Sequence, residues 1–199
     1  MGAYYYLVAQ LPSLVYGQEP PMSSARFRDL ARTQLSAEDA ALFTLLSLDP
    51  QPESTAGRPS YAEAGGPSGS GFIDQWRDWE RALRLNLARL RASRLKREGA
   101  APVDPPVVPA DAASGALQAM AAAENPLEAE ILLDRARWNA IEQFQGISAF
   151  SRNVVYAYLL KLLILERHAS FRAETGFAEY KSLYASILEH ARPGAGESK

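Results

Sequence analysis

Residues 153–165 read NVVYAYLLKLLIL, the most apolar run in the chain, and its reading decides the fold. Thirteen residues with Lys161 inside them fall short of the roughly twenty needed to cross a bilayer. The run therefore reads as a buried helix of a soluble protein, with Lys161 snorkelling its ammonium out of an apolar face. The helix that contains it is expected over 151–172. Before it lies the best helix start in the sequence: Asn125 as N-cap, Pro126 at the first helical position, and Glu128 able to reach back to the cap. That helix is expected to end at Gly146. After the central run, FAEYKSLYASILEHAR places Phe177, Tyr180, Leu183, Tyr184, Ile187 and Leu188 on one face, and Pro193 stops it.

Further toward the N-terminus, FIDQWRDWERALRLNLARLRASRLKRE (72–98) sets Phe72, Trp76, Trp79, Leu83, Leu87 and Leu90 three or four residues apart, one face of a helix about 40 Å long. Tryptophans at that spacing, with Trp138, read as core before they read as interface anchors. Proline and glycine are concentrated on either side. The segment 49–71 carries four Pro, five Gly and four Ser, too little apolar surface to offset the entropy of ordering it, and reads as a flexible linker. GAAPVDPPVVPA (99–110) is a second, polyproline-like break, followed by an alanine-rich stretch. Two short helices are expected before the first linker, one capped by Ser23 or Ser24. The other is capped by Ser36, with Asp39 three places on resembling a capping box and Leu42, Phe43, Leu45 and Leu46 facing inward. The opening YYYLVAQLPSLVY mixes β-formers with a Pro break, so a short strand and a first helical turn are equally compatible with it.

The expected class is all-α: a helical bundle with one long amphipathic helix, two Pro/Gly-rich flexible segments and room for one short N-terminal strand. Its organisation reads as an N-terminal helical segment (1–48), a flexible linker (49–71), the long basic helix (72–98) and a Pro-rich linker (99–110). A C-terminal helical part of the same domain (111–192) and a disordered tail (193–199) complete it. The N-terminus lacks the charged n-region and cleavage pattern of a secretory signal and reads as mature sequence.

Composition bounds the chemistry. The 199 residues contain no cysteine, which excludes disulfides, thiolate metal sites and a Cys nucleophile. A net charge of −2 gives no global reason to bind nucleic acid. The two histidines, His168 and His190, lie near the ends of two expected helices with no acid at ligand spacing, and C-terminal capping is preferred over a metal or a base. Gly65, Gly66, Gly69 and Gly71 precede a helix, but no strand leads into them and no Lys-Ser/Thr pair follows, so they are linker rather than a phosphate loop. No recognised catalytic pattern occurs, and the chain reads as a non-enzyme with no cofactor, no metal and no small-molecule substrate.

Between residues 77 and 97 eight cations (Arg77, Arg81, Arg84, Arg89, Arg91, Arg94, Lys96, Arg97) face two acids, Asp78 and Glu80. A solvated outer face accounts for them best. Contact with nucleic acid or an anionic surface, and docking to an acidic partner, are the alternatives.

Three stretches bear a resemblance. YYYLVAQLPSL with PPMSSARFRDL, then NPLEAEILLDR, then FSRNVVYAYLLKLLILER, resemble a bacterial family of short proteins associated with V/A-type ATPase. More distantly they are similar to the C-type stalk component of that ATPase, known as the d-type in the eukaryotic V-ATPase. That component also begins with an aromatic-rich helix, carries Leu-Asp as at Leu133 and Asp134, and has an Asn-containing helix leading to an Arg, as at Asn153 and Arg167. The matched stretches cover the first fifty residues and 125–172. The C-type component is a socket of three related helical domains, and 199 residues with two flexible segments cannot supply three.

The resemblance implies a reduced adaptor of this C-type kind, or an accessory subunit, between rotor and membrane ring. It would be cytoplasmic, peripheral to the inner membrane and in contact with the membrane only through the complex, with nucleic acid an unexpected partner. The partner-binding candidates are Tyr4, Tyr5 and Tyr6, Arg84, Arg89 and Arg91, Asn153 and Arg167, and Tyr16 joins the tyrosines as area for packing or docking. The alternative is a stand-alone helical binding module that uses the Arg-rich helix.

Overall fold

The computed structural model describes residues 3–48, 68–94, 115, 120, 123, 125–171 and 181. The described residues form an all-helical bundle of six helices with no strand: α1 (Tyr5–Ala9), α2 (Ser24–Arg32), α3 (Ala37–Phe43), α4 (Gly71–Arg94), α5 (Pro126–Gln145) and α6 (Arg152–Ser170). Residues 49–67 of the first expected linker, the linker at 99–110, His190, the expected tail at 193–199 and, apart from residue 181, the expected helix over 177–192 lie outside them.

Helix α6 is the axis of the core. Val155, Tyr156, Ala157, Leu159, Leu160, Leu162 and Ile164 are fully buried, and Leu165 nearly so. This near all-round burial follows from its apolar sequence, with only Lys161 and Leu163 half-buried within the run from 155 to 165. Helix α5 packs along it, α4 packs on α5, and α2 packs on α6. The face of α4 expected to be inward is inward: Phe72, Trp76, Trp79, Leu83 and Leu87 are buried and Leu90 is half-buried against the core. Trp76 and Trp79 stack at 5.9 Å between ring centroids.

The caps follow the sequence closely. Ser23 Oγ accepts from the Arg26 amide at 3.2 Å, Ser36 Oγ from the Asp39 amide at 3.1 Å, and Asn125 Oδ1 from the Glu128 amide at 2.8 Å. Each satisfies a donor that an α-helix leaves open at its start. Gly146 ends α5 with φ 72°, backbone that a side chain would strain. Helix α4 begins at Gly71 rather than Phe72. Residues 68–70, which read as linker, form its entry, where the Asp74 carboxylate accepts from the Ser68 amide at 2.9 Å.

The first residues take a helical turn, α1, and not a strand. All that remains of β structure is an isolated bridge between Ala3 and Ser151, with the Tyr4 amide donating to the Phe150 carbonyl at 2.7 Å. Five residues that begin YYL lack the β environment that propensity presupposes, because no second strand is present among the described residues to pair with them.

Candidate functional site

Two buried polar clusters tie the helices together. The first surrounds Asp39 on α3, 4% exposed. Its amide is the one capped by Ser36, but its carboxylate does not close a capping box. The Tyr4 hydroxyl stands between the two ends of the box, donating to Asp39 Oδ2 and accepting from the Ser36 amide at 3.4 Å. Arg152, at the start of α6, donates to Asp39 Oδ1 at 3.0 Å and to the Gly69 carbonyl at 3.3 Å, so one guanidinium joins α3, α6 and the entry of α4. The Tyr156 hydroxyl donates to the Asp39 carbonyl at 3.1 Å. Burial opposes ionisation of Asp39, but the Tyr4 and Arg152 hydrogen bonds and the Arg152 charge outweigh it and hold the carboxyl below its ordinary range. Burial, with the Asp39 charge beside it, drives the Tyr156 hydroxyl far above the usual phenol value.

The second cluster is centred on Asp134, on α5 and fully buried. Arg137 Nη1 donates to Asp134 Oδ1 at 2.8 Å, one turn along the same helix. Arg167 on α6 grips the same carboxylate with two nitrogens, Nε to Oδ2 at 3.0 Å and Nη2 to Oδ1. His168 Nε2 lies 3.3 Å from Oδ2. Arg137 then forks onto Glu80 of α4, both contacts at 3.1 Å. Glu80 also receives Arg84 Nε at 2.8 Å, and Arg84 Nη2 donates to the Leu48 carbonyl at 2.6 Å. Burial lowers the Arg137 pKa, but Glu80 and Asp134 more than restore it, so the guanidinium stays charged. A chain of alternating charge thus runs from the end of the N-terminal segment through α4 and α5 to α6, with acids and bases matched as buried ions require.

The predicted site residues divide between core and surface. Tyr4 is in the core, committed to Asp39, and is removed from any docking face by its own burial. Tyr5 and Tyr6 are 62% and 78% exposed, and Tyr5 lies 4.6 Å from the Phe150 ring. Tyr5 and Phe150 make an apolar tip where α1 meets the turn between α5 and α6, with Tyr6 and Ile147 exposed on the same two segments. Arg84 and Arg167 are held in ion pairs within the bundle, not presented to a partner. Arg89 and Arg91 are exposed on α4. Asn153 is half-buried in the first turn of α6, about 21 Å along the helix from Arg167, and the two do not meet. Lys161 does not simply snorkel: its ammonium reaches Glu142 at 3.2 Å and lies over the Trp138 ring at 5.1 Å.

His168 departs from its expected role. Although it stands in the last turn of α6, its ring faces Asp134 and Tyr16 and does not cap the helix end. An acid 34 positions away in sequence is brought to it by the α5–α6 packing, which local spacing does not register. Glu80, Arg137, Arg152 and Tyr156 were not singled out by sequence reasoning. The local signals were Asp134 and Arg137 at i, i+3 and Glu80 and Arg84 at i, i+4.

Among the described residues no group of three or more His, Asp or Glu side chains is arranged to hold a metal ion. No described helix is long and apolar enough to cross a membrane. No protein-family model, curated protein or solved structure significantly matches the chain.

Proposed function

We propose that this chain is a non-enzymatic adaptor, akin to the C-type stalk component, or an accessory subunit of a V/A-type proton- or sodium-translocating ATPase. In this reading it couples the soluble rotor to the membrane ring, in the cytoplasm and peripheral to the inner membrane. One observation carries the reading: the three stretches that bear the resemblance fold against one another. The opening segment is bonded to the turn before α6 through Tyr4 and Phe150, and Asp134 of the second stretch is paired with Arg167 of the third. A coupling element must transmit force without yielding, and helices cross-linked by buried ion pairs suit that task. The uncharged tip of Tyr5 and Phe150, with Tyr6 and Ile147 on the same segments, supplies aromatic area of the kind that docking surfaces use.

The test is affinity purification of the tagged full chain from its native membranes, with mass spectrometry of what stays bound at moderate salt. Rotor and membrane-ring proteins in fixed ratio are the expected result. Recovery of nucleic acid, or of nothing while the ATPase is intact in the same extract, would overturn the reading.

A further inference from the structure

Residues 10–23 contain no helix and cross the bundle as a strap between α1 and α2. Side chains hold the strap, with Leu11, Tyr16 and Met22 packed against the core. Tyr158 donates to the Pro12 carbonyl at 3.0 Å, and Leu14 packs on the core. Tyr16 makes the principal anchor, its hydroxyl donating to the Ile131 carbonyl at 2.8 Å. The Tyr16 ring meets Trp138 edge-on at 5.5 Å and His168 edge-on at 5.0 Å, with the Arg135 guanidinium 4.6 Å from its centroid. Tyr16 therefore covers His168, whose Nε2 lies 3.4 Å from the phenol oxygen and 3.3 Å from Asp134.

From this geometry we infer that His168 is a proton-sensitive latch: its protonation releases the Tyr16 strap from the α5–α6 pair. The electrostatics around the ring favour the neutral form. From α5 it is faced by Asp134, with Arg135, Arg137 and Glu130 nearby; from α6 by Arg167; from the strap by Tyr16; and from α4, through Arg137, by Glu80 and Arg84. Asp134 already accepts from two guanidinium groups, which offset part of its attraction for a third cation. Burial lowers the His168 pKa, Asp134 raises it, Arg167 lowers it again, and the balance lies below the ordinary value. A proton is therefore taken up more readily when the ring is hydrated. The least costly way to hydrate it is to lift the strap, which carries no helical backbone bonds, and not to unwind the half-buried last turn of α6, which the Phe171 amide closes on the His168 carbonyl at 3.1 Å. This inference does not depend on the ATPase reading.

The full chain has no cysteine, so a single Leu14→Cys variant reports strap opening through thiol labelling, normalised to free cysteine at each pH. Between about pH 7.5 and about pH 5, labelling should accelerate about threefold or more, and adding His168→Gln should remove the acceleration. A pH-independent rate in the parent, or the same rise with His168→Gln, would overturn the latch. A second measurement covers poor folding of the cysteine variant: His168 is titrated by NMR, with His190→Gln for assignment. Tyr16→Ala should return the His168 pKa toward its ordinary value, and an unchanged titration would overturn the coupling.

Discussion

Asp39 and Asp134 are both buried carboxylates, yet the bundle holds them by different means. Asp39 sits in the first turn of α3, near the positive end of the helix dipole, and its carboxylate is held by one guanidinium, Arg152, and the Tyr4 hydroxyl, with the Tyr156 hydroxyl 3.5 Å away. Asp134 lies in mid-helix, where every backbone amide is already taken, and it is neutralised by Arg137 and Arg167 with His168 beside them. A helix N-terminus thus lowers the number of countercharges a buried acid requires, and a helix interior raises it.

The largest effect is expected from Asp134→Ala. It leaves Arg137 with Glu80 alone and Arg167 with Glu130 alone beside an apolar gap, and should destabilise the fold by about 3–5 kcal/mol in denaturant unfolding. Asp39→Ala should cost about 1–3 kcal/mol, because Arg152 keeps the Gly69 carbonyl as an acceptor and the Tyr4 hydroxyl left behind is uncharged. Equal losses at the two sites would break the distinction drawn between them.

Acid titration sharpens the same comparison. The folded pKa of Asp39 is depressed, so its contribution is complete above the unfolded value near 3.9 and is lost as pH falls through the folded value. His168, also depressed, contributes fully above about 6.5 and loses its contribution as pH falls below that. Unfolding free energy measured against pH should therefore decline in two steps, and His168→Gln should remove only the upper one.

Ser36→Ala removes a cap and should cost about 1 kcal/mol by thermal or denaturant unfolding. The smallest change is expected for Ile147→Ser, at an exposed position, within about 0.5 kcal/mol of the parent. If that variant recovers fewer ATPase proteins at unchanged stability, the tip is a docking surface.

Much of this architecture was legible in the sequence because helix signals are local. Ser23, Ser36 and Asn125 cap where the sequence puts caps, Gly146 ends α5, and the three-to-four spacing of Phe72 to Leu87 gives the inner face of α4. The polar clusters were much less legible. Ser36 and Asp39 looked like a closed local box, and the intruding hydroxyl comes from Tyr4, 32 residues before the serine. The stripe on α4 looked like a uniform cationic face, but Arg84 is held by Glu80 and the Leu48 carbonyl.

What the sequence by itself determined is the all-helical class, the positions of the helix caps and the apolar faces, since each depends on neighbours within about four residues. The tertiary structure alone decided that the opening tyrosines form a helical turn with Tyr4 inward and Tyr6 outward, that Asp134 is a hub, and that His168 faces it beneath Tyr16. The reason is physical. A buried charge is stable only beside its countercharge, and those partners lie 33 to 113 residues apart along the chain, at Asp134 and Arg167, Glu80 and Arg137, and Asp39 and Arg152.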